Sequence, residues 1–340
     1  MAKIFVTRPI PEVGIKALRA KGYEVVVNEK AESRSATKEE IVAALRQAQG
    51  EGKPFNAILS VLTDKIDGEV MDAGLASPKP GEGGSGPLKI IANYAVGFDN
   101  IDLEAAKKRN LMVTNTPGVL TNTVAEHTFA LMLSIAHRIS EADRFSRAGK
   151  YHAWGPNLLL GTDMSGKTLG IVGLGRIGSR VAYHAVKGFD MKVIYTDPKP
   201  NPEFEKEFGA QYAEKLDDLL PLCDFVSIHV PLLDSTRHLI NEARLRKMKR
   251  SAYLINTSLG PIIDEKALAK ALEEKWIKGA AIDVFEFEPE ITPDLKELDN
   301  VIITPHIASA TEETRNKMAE MAVDNIIDAL EGRTPPNLVK

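Results

Sequence analysis

The stretch TLGIVGLGRIG, residues 168–178, carries the strongest structural signal in the chain. Its apolar residues Leu169 to Val172 predict a short buried strand, and a helix is predicted from about Arg176. Three glycines between them have the spacing G-x-G-x-x-G: Gly173, Gly175 and Gly178. In such a turn the first glycine permits the tight bend, the second lets the backbone approach a pyrophosphate, and the third lets helix and strand pack closely. The stretch therefore predicts a dinucleotide-binding turn.

The residues after this turn favour a particular dinucleotide. The start of the predicted helix, at Arg176 and Ile177, offers N–H groups and the positive end of the helix dipole to phosphates. Nineteen residues after Gly178, the predicted strand MKVIYT leads into Asp197. A carboxylate there binds both ribose hydroxyls and repels a 2′-phosphate, which favours NAD over NADP. Lys199 follows two residues later and can offset that charge, so NADP stays open as the lesser alternative.

Polar residues also follow four later apolar runs, DFVSIHVP, SAYLINTS, GAAIDVFEFEP and NVIITPHIASA. Such runs predict strands buried on both faces of a parallel sheet. Ligands bind at the carboxyl ends of these strands in open α/β sheets. The cofactor-binding candidates at these ends are His229, Val230, Pro231, Thr257, Ser258, Asp283 and His306.

Glu288 and His306 are the candidates for acid–base chemistry. Hydride transfer to a carbonyl needs a proton donor near the forming alkoxide, and histidine is suited to this near pH 7. A carboxylate on the other ring nitrogen would orient the imidazole and raise its pKa. Taken singly, a histidine after a strand is more often a structural hydrogen-bonding group, and Glu288 a solvated loop acid. Spacing alone does not pair them.

Composition excludes several other classes of protein. The 340 residues are enough for about two domains. Lys and Arg total 43 against 47 Asp and Glu, and this net charge of −4 argues against a nucleic-acid or anionic-membrane partner. A single cysteine, Cys223, excludes an intrachain disulfide and a cysteine-rich metal site. The chain lacks 18 consecutive apolar residues, and the apolar run in its first residues, MAKIFVTRPI, is too short for a signal peptide before Thr7 and Arg8 interrupt it. We expect a cytoplasmic protein without a metal.

Strand-like and helix-like segments also alternate through the first hundred residues, which indicates a second α/β layer. The Gly/Pro/Ser-rich segment 76–87 predicts a surface loop within that layer. Residues 121–148 predict one long helix that is apolar on more than one face, and such a helix is buried or packs on a second subunit. The final predicted helix, 312–331, ends before Gly332.

Together these features resemble the NAD-dependent D-2-hydroxyacid dehydrogenase family, and within it the glyoxylate/hydroxypyruvate reductases. The resemblance covers nearly the whole chain and rests on the segments ANYAVGFDNID, NTPGVLTNTVAEHT, VGLGRIGSRVA, INTSLGPIIDEKAL, AAIDVFEFEP and TPHIASAT. It implies that Glu288 orients His306, the general acid/base. It also implies that Asp283 binds the nicotinamide carboxamide, that Thr123 lies near the cofactor, and that the substrate is bound by three residues: Leu62, Val96 and Gly97.

The resemblance also implies a domain arrangement and a partner. A Rossmann-type cofactor domain, residues 101–310, would be inserted into a smaller flavodoxin-like substrate domain formed by residues 1–100 and 311–340. The helix after Thr123 would mediate a homodimer, in which Trp154 packs at the interface. The expected substrate is a small 2-oxo acid: glyoxylate, hydroxypyruvate or pyruvate.

Leu259 departs from the family pattern. The family has an arginine before the glycine of this turn, which grips the carboxylate and carbonyl oxygens of a 2-oxo acid, whereas INTSLGP has leucine. Losing such a contact costs about 3 kcal/mol, or about 10²-fold in rate. Leu259 is an introduced change, a natural change toward another substrate, or a mark of a cofactor-binding protein without turnover. Because Glu288, His306 and Asp283 are present, we favour an NAD-dependent dehydrogenase with impaired or altered catalysis over a non-catalytic NAD(H)-responsive binding protein.

Overall fold

Strands and helices alternate along the chain and form two all-parallel sheets, one of five strands and one of seven. The computed structural model describes residues 1–31, 34–75 and 87–339. They fall into two compact units, Met1–Leu120 with Thr311–Lys340, and Thr121–Ala310. The second unit thus interrupts the first in sequence. The predicted loop at 76–87 lies outside the described residues except for Pro87.

The first unit has a flavodoxin-like sheet of order β2-β1-β3-β4-β5. Its strands are β1 (Lys3–Val6), β2 (Glu24–Val27), β3 (Ala57–Val61), β4 (Ile90–Tyr94) and β5 (Met112–Thr114). Its helices are α1 (Glu12–Ala20), α2 (Lys38–Gly50), α3 (Gly68–Gly74), α4 (Leu103–Lys108) and the C-terminal helix α13 (Glu312–Leu330). Helix α13 returns to this unit: the Tyr94 hydroxyl donates to the Arg315 carbonyl at 2.7 Å.

The second unit has a sheet of order β12-β11-β10-β9-β6-β7-β8, the doubly wound order of a Rossmann domain with one further strand. Its strands are β6 (Thr168–Val172), β7 (Lys192–Thr196), β8 (Gln211–Tyr212), β9 (Phe225–Ile228), β10 (Tyr253–Asn256), β11 (Gly279–Ile282) and β12 (Val301–Ile303). Its helices are α5 (Thr121–Ala136), α6 (Ile139–Arg147), α7 (Arg176–Phe189), α8 (Pro202–Phe208), α9 (Leu216–Leu219), α10 (Glu242–Leu245), α11 (Glu265–Glu273) and α12 (Pro293–Lys296). The central strands β9, β10 and β11 are buried throughout, as their apolar sequences predict.

The structure differs from the sequence-based expectation at two places. Residues 101–120 belong to the first unit, so the first boundary lies at 120/121 and not at 100/101, because β5 adds to the first sheet beside β4. Residues 121–148 form two helices, α5 and α6, and not one. Arg138 separates them with a left-handed φ of +58°, a conformation that ends a right-handed helix and that the sequence does not signal with a glycine.

Within the described ranges, no helix is both long enough and apolar enough to cross a membrane.

Candidate active site

The glycine turn connects β6 to α7 as its sequence predicts. Gly173 has a φ of +96°, which favours glycine, and Gly175 is the N-cap of α7. A Cβ at Gly178 would lie 2.0 Å from the carbonyl oxygen of Gly173, so the third glycine is required for helix and turn to meet. A Cβ at Gly175 would have no heavy atom within 4 Å. The space above Gly175 and the exposed start of α7, at Arg176 and Ile177, therefore fit a pyrophosphate.

Asp197 lies beside this turn at the end of β7. Its Oδ2 accepts a hydrogen bond from the backbone N–H of Leu174 at 2.8 Å, which fixes the carboxylate against the turn. A cleft of about 450 Å³ opens next to it, lined by Leu174, Asp197, Lys199 and the residues 200–203. An adenosine ribose fits this position, within reach of the Asp197 carboxylate.

The carboxyl ends of β9 and β10 are joined by side chains. The Ser258 hydroxyl donates to the Val230 carbonyl at 2.5 Å, and the hydroxyls of Thr257 and Thr128 lie 2.9 Å apart. His229 contacts the Ser227 hydroxyl at 2.8 Å, and burial lowers the pKa of His229 to about 3. This lowered pKa favours the neutral imidazole of His229, which makes it a poor candidate for the general acid. Pro231 follows Val230 directly after the end of β9. Thr123 lies in the first turn of α5.

The structure brings Glu288 and His306 together, which the sequence did not establish. Nδ1 of His306 lies 2.9 Å from Oε2 and 3.2 Å from Oε1 of Glu288. The two side chains are partly exposed, at 30% and 24%. Glu288 is itself held by the backbone N–H of Phe285, which donates to Oε1 at 3.0 Å. A carboxylate on one ring nitrogen directs proton exchange to the other nitrogen, Nε2.

The segment that carries His306 is held in an unusual backbone conformation. His306 has a φ of +54°, which is uncommon for a residue other than glycine and typical of functional sites. Its N–H donates to the Asp283 carbonyl at 2.8 Å. The Asp283 carboxylate accepts from the backbone of Ile307 at 2.9 Å and of Ala308 at 2.7 Å. Asp283 thus fixes the two residues that follow His306 in the chain.

Two residues that the sequence did not single out complete this environment. The Thr304 hydroxyl donates to Asp283 Oδ1 at 2.6 Å, and Nε2 of His127, on α5, lies 3.5 Å from the same oxygen. Burial raises the pKa of Asp283, but the hydrogen bonds from His127, Thr304 and the backbone outweigh it and lower the pKa overall. Asp283 is therefore a buried, ionised anchor. His127 lies in the segment NTPGVLTNTVAEHT, but because this segment is far from β12 in the chain, the sequence does not indicate its contact with Asp283. Binding of a nicotinamide carboxamide by Asp283 stays a prediction.

Leu259 lies in the turn after β10, and the frame of that turn is intact. The Asn256 side chain donates to the Leu259 carbonyl at 3.0 Å and accepts from the Ser258 N–H at 3.0 Å. The Leu259 side chain is partly buried and packs against the apolar core of the unit. The next residue, Gly260, lies against the Phe285 carbonyl, where a Cβ would come within 1.9 Å. The backbone of this turn is thus held by Asn256, while the side chain at position 259 is apolar and uncharged.

The predicted substrate-binding residues lie in the first unit. Leu62 follows β3, and Val96 and Gly97 follow β4. The Val96 carbonyl accepts from the Asn115 side chain at 2.8 Å, and the Gly97 carbonyl accepts from the Asn93 side chain at 2.9 Å. These two asparagines, missed from the sequence, hold the peptides of the loop in place. Asn93 lies in the segment ANYAVGFDNID and Asn115 in NTPGVLTNTVAEHT, but neither segment says which partner its amide takes.

In the part of the chain that the structure describes, no group of three or more His, Cys, Asp or Glu side chains is arranged to hold a metal ion.

A Rossmann sheet, a pyrophosphate-sized turn and a histidine–carboxylate pair in one unit define a dinucleotide-dependent dehydrogenase.

Comparison with known proteins narrows this class. Residues 129–308 match the family model described as D-isomer specific 2-hydroxyacid dehydrogenase, NAD binding domain. The chain belongs to this family, and the resemblance found from its sequence motifs is confirmed.

Relatives of known name or structure agree along the full length. A glyoxylate reductase from Korarchaeum cryptofilum is 48% identical over 340 residues, which are 99% of this chain and 95% of the relative. The TT0316 protein from Thermus thermophilus is 41% identical with a TM-score of 0.88, over 99% of this chain and all of that one. An NADPH-dependent glyoxylate/hydroxypyruvate reductase from Sinorhizobium meliloti, solved with NADP and malonate, is 30% identical with a TM-score of 0.80, over 99% and 96% of the two chains.

Proposed function

We propose that this protein reduces a small 2-oxo acid such as glyoxylate, hydroxypyruvate or pyruvate to the D-2-hydroxy acid. The observation that carries the proposal is the 2.9 Å contact between Glu288 and Nδ1 of His306 in a Rossmann unit. A carboxylate bound to the imidazolium favours the protonated form that reduction requires. The names of the full-length relatives, glyoxylate reductases among them, support the same substrate class.

NAD is the proposed cofactor, and the residues present fit it. The turn at Gly173, Gly175 and Gly178 would hold the pyrophosphate, and Asp197 would hold the adenosine ribose. When bound, the reduced nicotinamide supplies a hydride to the carbonyl carbon of the substrate. Asp197 disfavours a 2′-phosphate by its charge, while the Sinorhizobium meliloti relative is named NADPH-dependent. NADP therefore stays the lesser alternative for this chain.

The chain's own residues then supply binding and proton transfer. His306 delivers the proton from Nε2 to the carbonyl oxygen, and Glu288 holds Nδ1 so that the ring keeps its orientation. The backbone N–H groups of Val96 and Gly97 receive the substrate carboxylate, and Leu62 contributes an apolar wall. Asp283 keeps the His306 segment in place through its contacts with Ile307 and Ala308.

Leu259 sets the expected rate. A leucine donates no hydrogen bond and carries no charge, so the developing alkoxide loses the guanidinium that the family pattern supplies there. We propose that turnover of 2-oxo acids is slow for this reason. Leu259 also supports a second candidate function, a protein of the same fold that binds NAD(H) and responds to it without turnover.

A homodimer is the proposed assembly. Helix α6 has no buried residue, although it is strongly amphipathic. Exposed apolar side chains continue from it into the following segment: Ile139 (53%), Tyr151 (57%), Trp154 (79%) and Leu160 (60%). Apolar surface of this kind marks an interface, and a second copy of the chain is the proposed partner.

A cytoplasmic location is proposed from the single cysteine, which excludes stabilising intrachain disulfides.

The test follows NADH oxidation with glyoxylate, hydroxypyruvate and pyruvate, for the protein and for His306→Asn. We expect measurable turnover of at least one substrate and a loss of about 10²-fold or more in the variant, with NADH binding retained. Tight NADH binding without turnover of any substrate would support the non-catalytic alternative. Equal activity of the two proteins would remove His306 from the reaction.

A further inference from the structure

The turn that carries Glu288 is closed at both ends by one buried side chain, Glu265. Glu265 is the first residue of α11 and is only 2% exposed. Its Oε1 accepts the backbone N–H of Glu286 at 2.5 Å, and its Oε2 accepts the Thr292 hydroxyl at 2.6 Å. The segment 286–292, which includes Glu288, therefore begins and ends on the same carboxylate.

A second carboxylate strengthens this arrangement from the opposite side. Oε2 of Glu286 accepts the backbone N–H of Glu265 at 3.4 Å, so the two glutamates bind each other's backbone. Oε1 of Glu286 lies 2.6 Å from Nε2 of His238. The backbone N–H of His238 donates to the Pro261 carbonyl at 2.8 Å. This hydrogen bond links the two glutamates to the turn that contains Leu259.

The start of the segment has little room to move. Gly260 is pressed against the Phe285–Glu286 peptide, where a Cβ would lie 2.6 Å from the Glu286 nitrogen. Phe285 itself joins the two contacts: its carbonyl lies against Gly260 and its N–H, one peptide earlier, binds Glu288, so a shift of Phe285 moves the carboxylate that faces His306. A displacement of about 1 Å at a reacting group costs about 10²-fold in rate.

We propose that Glu265 is a positioning residue for the Glu288–His306 pair, acting through the segment 286–292. The proposal rests on the proposed function, since it assigns the pair to proton transfer. A charged side chain suits the task because all its partners are donors and because it lies at the positive end of α11. Glutamine keeps the shape but has one acceptor oxygen, so its amide NH₂ would face a donor at one end of the segment.

The experiment compares Glu265→Gln with the matched control Glu273→Gln, at an exposed glutamate on the same helix. The first readout is the titration of His306 by NMR in the whole protein, with its signal assigned by its loss in His306→Asn. We expect the His306 pKa to fall by about one unit in Glu265→Gln, because Glu288 withdraws from Nδ1. The pKa stays at the wild-type value in Glu273→Gln.

The second readout is the rate of NADH oxidation at saturating substrate. We expect kcat to fall about tenfold or more in Glu265→Gln, while KM for NADH changes less than about twofold. Thr292→Val removes a single donor and keeps Glu265, and it should change both readouts in the same direction by less. If Glu265→Gln does not fold, the Thr292→Val titration decides.

The results separate the two claims. A His306 titration and a kcat equal to wild type in folded Glu265→Gln, or in Thr292→Val where the first does not fold, would overturn the positioning role. Parallel loss of NADH affinity, with the His306 pKa unchanged, would assign Glu265 to fold stability alone. Absence of turnover in the wild-type protein would contradict the proposed function, and the NMR titration would still judge the positioning role.

Discussion

Nδ1 of His306 lies 2.9 Å from Oε2 of Glu288, although the two residues are 18 positions apart in sequence. The contact forms because His306 follows β12 and Glu288 follows β11, and these strands are parallel neighbours whose carboxyl ends meet at one edge of the sheet. This distance fits a hydrogen bond between an imidazolium and a carboxylate. Hydrogen bonds between charged groups are stronger than those between neutral groups. We propose that this pair carries proton transfer in the reaction.

Glu288→Gln keeps a hydrogen bond to Nδ1 but removes the charge. We expect kcat for reduction to fall and its alkaline limb to move to lower pH, because the imidazolium is no longer stabilised and deprotonates earlier. NADH oxidation measured from about pH 5 to pH 9 checks this. Glu290→Gln, an exposed change in the same turn, is the control and should leave the profile in place. An unchanged profile in Glu288→Gln would mean that the carboxylate does not act on the histidine.

Asp197→Ala tests cofactor choice. The carboxylate beside Leu174 is expected to exclude a 2′-phosphate, and Lys199 remains to attract one when Asp197 is gone. We expect the ratio of kcat/KM for NADPH to that for NADH to rise about tenfold or more. Glu203→Gln, in the wall of the same cleft, should change the ratio much less. A ratio that stays constant in Asp197→Ala would remove Asp197 from cofactor selection.

Asp283→Asn tests the buried anchor of the His306 segment. Because the pKa of Asp283 is lowered in the folded protein, its contribution is present above the unfolded pKa of about 3.9 and is lost as pH falls through the folded value. We expect the variant to be less stable by about 1–3 kcal/mol at pH 7, and the difference to shrink as the pH falls below the unfolded pKa of about 3.9. Denaturant unfolding at both pH values measures it. A difference that grows in acid would contradict the assignment of an ionised anchor.

Gly178→Ala and Gly188→Ala form a matched pair on α7. The first places a Cβ 2.0 Å from the Gly173 carbonyl oxygen, while the second places one where no heavy atom lies within 4 Å. We expect Gly178→Ala to lower Tm and to weaken NADH binding about tenfold or more, because the turn must open. Gly188→Ala should retain binding and gain up to about 1 kcal/mol of stability, since alanine favours the helix. Thermal unfolding and NADH titration check both, and equal behaviour of the two would disprove the tight turn.

Much of this architecture follows from the sequence because its signals are local. Three glycines predict the β6–α7 turn. Apolar runs that end at polar residues predict the parallel strands. The end of α13 before Gly332, which has a φ of +82°, is a local signal as well.

The remaining features depend on contacts between distant segments. The break at Arg138 needs a left-handed residue that the sequence does not mark, and the place of β5 is set by pairing with β4. His127 and Glu265 act on residues that are more than 20 positions away, so their partners appear only when the strands are in register. Sequence motifs thus indicate candidate functional residues, whereas the contacts of each residue are set by the packing of distant segments.

The central proposal is that Leu259 slows a dehydrogenase whose Glu288–His306 pair is in place, and Leu259→Arg tests it most directly. The measurement is kcat/KM for NADH-dependent reduction of glyoxylate, hydroxypyruvate and pyruvate by the wild-type protein and the variant. A gain of about 10²-fold on at least one substrate is expected, since the guanidinium returns to the developing alkoxide. Absence of any gain in a folded variant that binds NADH would contradict the account.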